Sequence, residues 1–105
     1  MRGRKDGQRS LFPGRRGTVY EVRIHRESLK AYRKLDRELQ AKVDEAIERL
    51  RGNPWRRDLD IKKLHGEYTG YYRLRIGDIR VIYAVDPKAK VIFIDALSHR
   101  GSAYK

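Results

Sequence analysis

The chain has 105 residues, no cysteine, and 26 basic against 14 acidic side chains, for a formal charge of +12. That length supports one domain with a real core, and the missing cysteine excludes disulfide scaffolds, thiolate zinc sites and a cysteine nucleophile while suiting a cytoplasmic location. The charge makes a polyanion the obvious partner class, whereas no apolar run is long enough to cross a bilayer and no segment has the broad apolar face of an interfacial helix, so no membrane partner is expected.

Residues 1–17 hold six basic side chains against Asp6, with four glycines and Pro13, and read as a flexible basic arm. The arm contributes +5 and leaves +7 for residues 18–105, the expected folded domain. Whether the arm grips nucleic acid or is a cloning remnant stays open. Thr18 to Ile24 alternates roughly, with Val19, Tyr20, Val22 and Ile24, and should be the first strand. From Glu27 the spacing turns helical through Leu29, Tyr32 and Leu35. Asp36 then caps a second helix whose Leu39, Val43, Ile47 and Leu50 form one stripe, ended by Gly52-Asn53-Pro54. Trp55 suits a lid on the core edge better than a base-stacking platform, and Lys62-Lys63-Leu64-His65-Gly66 reads as a basic connector.

Tyr71 to Tyr83 carries the strongest local signal. Two alternating runs flank Gly77-Asp78, a two-residue hairpin turn in which glycine can take a positive φ. The turn predicts the pairs Ile76–Ile79, Leu74–Val81 and Tyr72–Tyr83 on a core face. Arg75 then lies across from Arg80 on the other face, with Arg73 two residues along and Tyr71 near. Three arginines on an ordinary sheet can simply splay into water; converging, they suit bidentate capture of phosphate. Asp86 to Lys90 is a turn, and Val91 to Leu97 is apolar enough for an interior strand. Asp95 within it is read as a counter-ion of the arginine face or a structural acid rather than a catalytic acid. In a helical turn at the C-terminus, Arg100 and Tyr104 would share a face. The expected fold is α+β: strand, two helices, three strands and a short helical turn, with the helix hairpin packed on one side of an antiparallel sheet.

Three motifs stand in this order: Lys63-Leu64-x-Gly66, Tyr72-Arg73-Leu74-Arg75-x-Gly77-Asp78-x-Arg80-Val81-Ile82-Tyr83, and His99-Arg100-x-x-x-Tyr104. Over about residues 19–105 this pattern resembles the RelE/ParE superfamily of type II toxin–antitoxin toxins, and its ending is more like the RelE messenger-RNA endonuclease branch than the gyrase-poisoning ParE branch. The resemblance implies a microbial-ribonuclease-like fold. It also implies cleavage of messenger RNA in the ribosomal A site by attack of the 2′-hydroxyl on its own phosphate, and contact with ribosomal RNA. An acidic antitoxin would neutralise the toxin, and operator DNA would be met only through the complex with it.

Carried over by position, the catalytic residues are Arg73, Arg75, Arg80, Arg100 and Tyr104. Lys62, Lys63, Tyr71 and His99 are the expected RNA contacts, although His99 also suits a hydrogen-bonding spacer. Arg73 and Arg80 would neutralise the transition state. Positions that are lysine in the best-known members are Arg73 and Arg75 here, which displaces a lysine base and leaves Tyr104 or His99 for that role. Arg100 or Arg75 would assist the leaving group. No acidic or histidine cluster has metal-ligand spacing, so no metal or other cofactor is expected. A gyrase poison on the same scaffold and a catalytically silent RNA-binding protein are the alternatives.

Overall fold

The computed structural model describes residues 20–99 and the backbone of residues 8–12. Strand β1 (Gln8–Phe12) is followed by β2 (Glu21–His25), the helices α1 (Arg26–Arg33) and α2 (Arg37–Gly52), and then four strands: β3 (Asp60–Lys63), β4 (Tyr71–Ile76), β5 (Ile79–Asp86) and β6 (Val91–His99). Among the described residues these six strands form one sheet in the order β1-β2-β6-β5-β4-β3.

The helix boundaries follow from local chemistry. Nδ1 of His25 accepts the Glu27 N–H at 3.1 Å and caps α1. Oδ1 of Asp36 accepts the Leu39 N–H at 2.9 Å and caps α2, as its sequence position predicts. At the other end of α2 a buried arginine ties the helix to the sheet. Arg51 is 1% exposed, its Nε donates to the Tyr20 carbonyl at 3.0 Å, and its Nη1 donates to Glu48 Oε2 at 2.7 Å. A buried guanidinium is tolerable only when paired in this way.

The hairpin has the predicted register. Ile76 pairs with Ile79, Leu74 with Val81, Tyr72 with Tyr83 and Arg75 with Arg80, around Gly77 at φ 58°. Tyr72 and Tyr83 stack with ring centroids 5.5 Å apart. Tyr83 is fully buried and its hydroxyl donates to the Pro54 carbonyl at 2.7 Å. Val22, Ile24, Leu74, Ile79, Val81, Ile92, Ile94 and Leu97 form the sheet side of one core, closed by Leu29, Leu35, Val43, Ala46, Ile47 and Leu50. At about 1.5–3 kcal/mol per buried large aliphatic side chain, this is the main stabilising contact. Trp55 keeps 44% of its surface exposed and meets Tyr20 edge-to-face at 6.3 Å, the expected lid at the core edge. Asp86 Oδ1 accepts the N–H groups of Lys88 and Ala89 in the expected turn.

Three features depart from expectation. The connector at Lys62-Lys63 is part of β3, which pairs antiparallel with β4 at the sheet edge. Only Ile61 of its four residues is apolar, too little for a periodicity to register. The sheet is mixed rather than antiparallel, because β2 and β6 pair in parallel. A chain that reverses at every connection ends β6 along β2 once β3 is counted, and opposed to it when β3 is left out. Residues 8–12, placed within the arm by composition, pair with β2 along its otherwise open edge. The rest of the arm and the expected C-terminal turn lie outside the described residues, as do Arg100 and Tyr104.

Candidate active site

Both helices cover one side of the sheet, so the alternate residues of β4, β5 and β6 face the other side. There they line a cleft of about 600 Å³ between Leu64, Glu67, Tyr68, Tyr71, Arg73, Arg80, Ile82, Asp95 and Ala96. Its wall is a 3₁₀ turn at Gly66–Tyr68. Gly66 (φ 69°) and Gly70 (φ 98°) bracket that turn in a conformation side chains disfavour. The Thr69 hydroxyl donates to the Gly66 carbonyl at 2.8 Å, and the Leu64 N–H donates to the Tyr71 carbonyl at 2.9 Å, joining wall to strand.

The cleft owes its acid to an irregularity in β6. Ile82 pairs with Ala96 but Tyr83 pairs with Ile94, so Asp95 is an extra residue in that strand. A bulge lets Ile94 and Leu97 both point into the core while Asp95 and Ala96 both reach the cleft. There the Tyr71 hydroxyl donates to Asp95, and this bond, the charge of Asp95 and burial together raise the Tyr71 pKa. Tyr71 is thereby held as a protonated donor.

Arg73 and Arg80 are diagonal neighbours across the hairpin, their backbones roughly 7–8 Å apart by strand geometry. The Arg73 side chain is 18% exposed, and its Nη2 donates to Asp60 Oδ1 at 3.1 Å. Its Nε is buried and has no hydrogen-bond partner among the described residues. A buried donor left unpaired costs about 1–3 kcal/mol, which an incoming anion would recover. Arg80 is exposed at the cleft.

The remaining expected site residues divide. Arg75 stands opposite Arg80 in register, but its side chain lines a smaller depression of about 220 Å³ beside Lys42, Arg49 and Ile76. Lys62 pairs with Arg73 and so shares the cleft side of the sheet, whereas Lys63 pairs with Tyr72 and His99 with the buried Ile79, on the helix side. Lys63 and His99 are therefore not brought to the cleft by the strands that carry them. Sequence reasoning passed over Glu67, Tyr68 and Asp60; the glycines at 66 and 70 were the available sign of a built wall. Among the described residues no three His, Asp or Glu side chains are grouped to hold a metal ion, and no helix is long and apolar enough to cross a membrane.

The chain and its fold are similar to those of known proteins. A family profile described as the ParE toxin of the type II toxin–antitoxin system parDE matches residues 21–104. A protein of Methanocaldococcus jannaschii that carries the provisional name toxin RelE1 is 39% identical over 87 residues, covering 82% of this chain and 96% of that protein. Among solved structures, the archaeal RelE–RelB complex of Pyrococcus horikoshii matches with a TM-score of 0.68 and 40% identity, over 80% of this chain and 98% of that one. The toxin–antitoxin complex RelBE2 of Mycobacterium tuberculosis matches with a TM-score of 0.68 and 29% identity, over 78% and 99%. The chain belongs to the RelE/ParE superfamily of type II toxin–antitoxin toxins, and within it to the RelE family.

Proposed function

We propose that this toxin is an endoribonuclease that cuts messenger RNA in the ribosomal A site without a metal ion. The observation that carries the reading is the placing of Arg73 and Arg80 in one cleft, with Arg73 Nε buried and without a hydrogen-bond partner among the described residues, an arrangement suited to a phosphate. In the reaction the 2′-hydroxyl attacks the adjacent phosphorus, and the two guanidiniums stabilise the charge that grows on the phosphate oxygens. Arginine stays protonated throughout, so its part is to orient and neutralise. Products are a 2′,3′-cyclic phosphate and a 5′-hydroxyl. Arg100 keeps its assignment at the leaving group and Tyr104 a place in the site as part of this proposal, Lys62 is a phosphate contact outside the cleft, and Arg75, which lines the separate depression, is left out of the reacting set.

A cognate acidic antitoxin would neutralise the toxin by covering the arginine side of the sheet. The structures of related toxins with their antitoxins support such a partner. The whole chain is basic enough to bind one electrostatically.

The test is to induce the chain in a bacterium and map messenger 5′ ends on translated and untranslated copies of one transcript. Cuts confined to the translated copy are expected. Cuts on both copies would identify a ribosome-independent nuclease. The ParE description of the matching family favours gyrase as the second reading, and trapped DNA breaks with intact messenger would establish it.

A further inference from the structure

We propose that Asp95 is the general base of the RNA-cleaving reaction and that Tyr71 is its positioning residue. The inference rests on the endoribonuclease reading above and goes beyond it in naming the proton acceptor. An attack by the 2′-hydroxyl needs a group that is unprotonated at neutral pH and reaches the same space as the phosphate. Among the described residues, few titratable or charged side chains line this space. Arg73 and Tyr71 come from β4, Arg80 from β5, Asp95 from β6, and Glu67 and Tyr68 from the 3₁₀ wall.

The arginines cannot give up a proton in water. The two tyrosines are phenols, and the hydrogen bond to Asp95 makes Tyr71 hold its proton more firmly still. Two carboxylates remain. Glu67 is exposed on the wall, while Asp95 is half-buried in the strand next to the one that carries Arg80. The bulge that turns Asp95 into the cleft, and the hydroxyl that holds its carboxylate, give it a fixed direction. A carboxylate accepts protons and hydrogen bonds where a guanidinium can only donate them.

The step balances as follows. The Asp95 carboxylate takes the 2′-hydroxyl proton as the 2′-oxygen bonds to phosphorus. The bond from phosphorus to the 5′-oxygen breaks, its electron pair stays on that oxygen, and the oxygen takes a proton from solvent water. Asp95 returns its proton to the resulting hydroxide once the product has left. Asp95 was expected to be a counter-ion or a structural acid; its place in the cleft that Arg73 and Arg80 also line gives it the part of proton acceptor when the RNA phosphate enters.

Single-turnover cleavage of ribosome-bound messenger tests this with wild type, Asp95→Asn, Asp95→Glu and Asp95→Ala. The Asn side chain still accepts from Tyr71, so Asp95→Asn should fold and bind ribosomes as wild type does while cleaving about a hundred- to ten-thousand-fold more slowly. The wild-type rate should fall tenfold per pH unit on the acid side, and that limb should vanish in Asp95→Asn. Asp95→Glu should recover part of the rate, and formate should rescue Asp95→Ala. Wild-type cleavage with Asp95→Asn within threefold of it and an unchanged pH profile would overturn the assignment and leave the nuclease reading intact. No wild-type cleavage of any RNA would overturn both. If Asp95→Asn fails to fold, formate rescue decides, and its absence in a folded Asp95→Ala protein would overturn the assignment of the base.

Discussion

Asp60 holds one end of Arg73: its Oδ1 accepts from Nη2 at 3.1 Å across the β3–β4 pair, while Nε of the same guanidinium is buried without a partner among the described residues. The carboxylate fixes where the remaining N–H groups of Arg73 point. Asp60 is more than half exposed, so Asp60→Asn should change stability by less than about 1 kcal/mol. Loss of aim should nevertheless slow messenger cleavage roughly ten- to a hundred-fold. Chemical denaturation alongside a single-turnover cleavage assay checks both halves, and an unchanged rate would show that Arg73 needs no such tether.

The two sides of the Arg75–Arg80 pair should behave differently. Arg80→Ala should lower cleavage by about 10²–10³, the usual cost of a lost transition-state donor. Arg75→Ala should stay within a few-fold of wild type, because that side chain lines the separate depression beside α2. Growth arrest on induction and primer-extension mapping of messenger ends read both variants. Equal loss in the two would place Arg75 in the reacting cleft.

The hairpin that carries these arginines was legible because its evidence is local: two alternating runs, one glycine and one aspartate fix six cross-strand pairs. What escaped depends on distant partners. Nothing within Asp60 to Lys63 marks it as a strand until β4 offers an edge, and that omission also hid the parallel pairing of β2 and β6. The bulge at Asp95 is invisible in a nearly continuous apolar run, and only the β5–β6 register puts His99 on the helix side. Thus the two diagonal arginines, Tyr71 and the acid at Asp95 were found from the chain, and the bulge that turns that acid into the cleft and the wall at Glu67 and Tyr68 were not.

Arg51 should be among the costliest single changes in the fold. Arg51→Ala leaves Glu48 without its 2.7 Å partner and the Tyr20 carbonyl without a donor, and should destabilise by about 3–5 kcal/mol. Arg51→Met fills the space and should lose less. Urea unfolding of both variants measures the difference, and a loss below about 1 kcal/mol in Arg51→Ala would remove the clamp from the account.

Alkaline pH should expose the Tyr32–Asp44 bond. The Tyr32 hydroxyl donates to Asp44 Oδ1 at 2.6 Å, and burial, then this bond, push its pKa up to about 12. A phenol whose folded pKa lies above its unfolded value near 10 stabilises the fold fully below pH 10, and that contribution is lost as pH rises through about 12. Unfolding midpoints should therefore drop between pH 10 and 12, and Tyr32→Phe should flatten that drop. An identical slope in the variant would assign the alkaline loss elsewhere, with buried Tyr83, whose pKa is also raised by burial, next in line.

Strand β6 lies between β2 and β5 yet is the last of the six to be made. During biosynthesis the β1–β2 pair and the β3–β4–β5 meander can each form, but they have no common neighbour until Val91–His99 has emerged. The aspartate of the cleft arrives with that strand, as do the core residues Ile92, Ile94 and Leu97 that join the two halves. A nascent chain therefore carries Arg73 and Arg80 before there is an assembled cleft to hold them, and the arrangement that the proposed chemistry needs exists only after Val91–His99 has emerged.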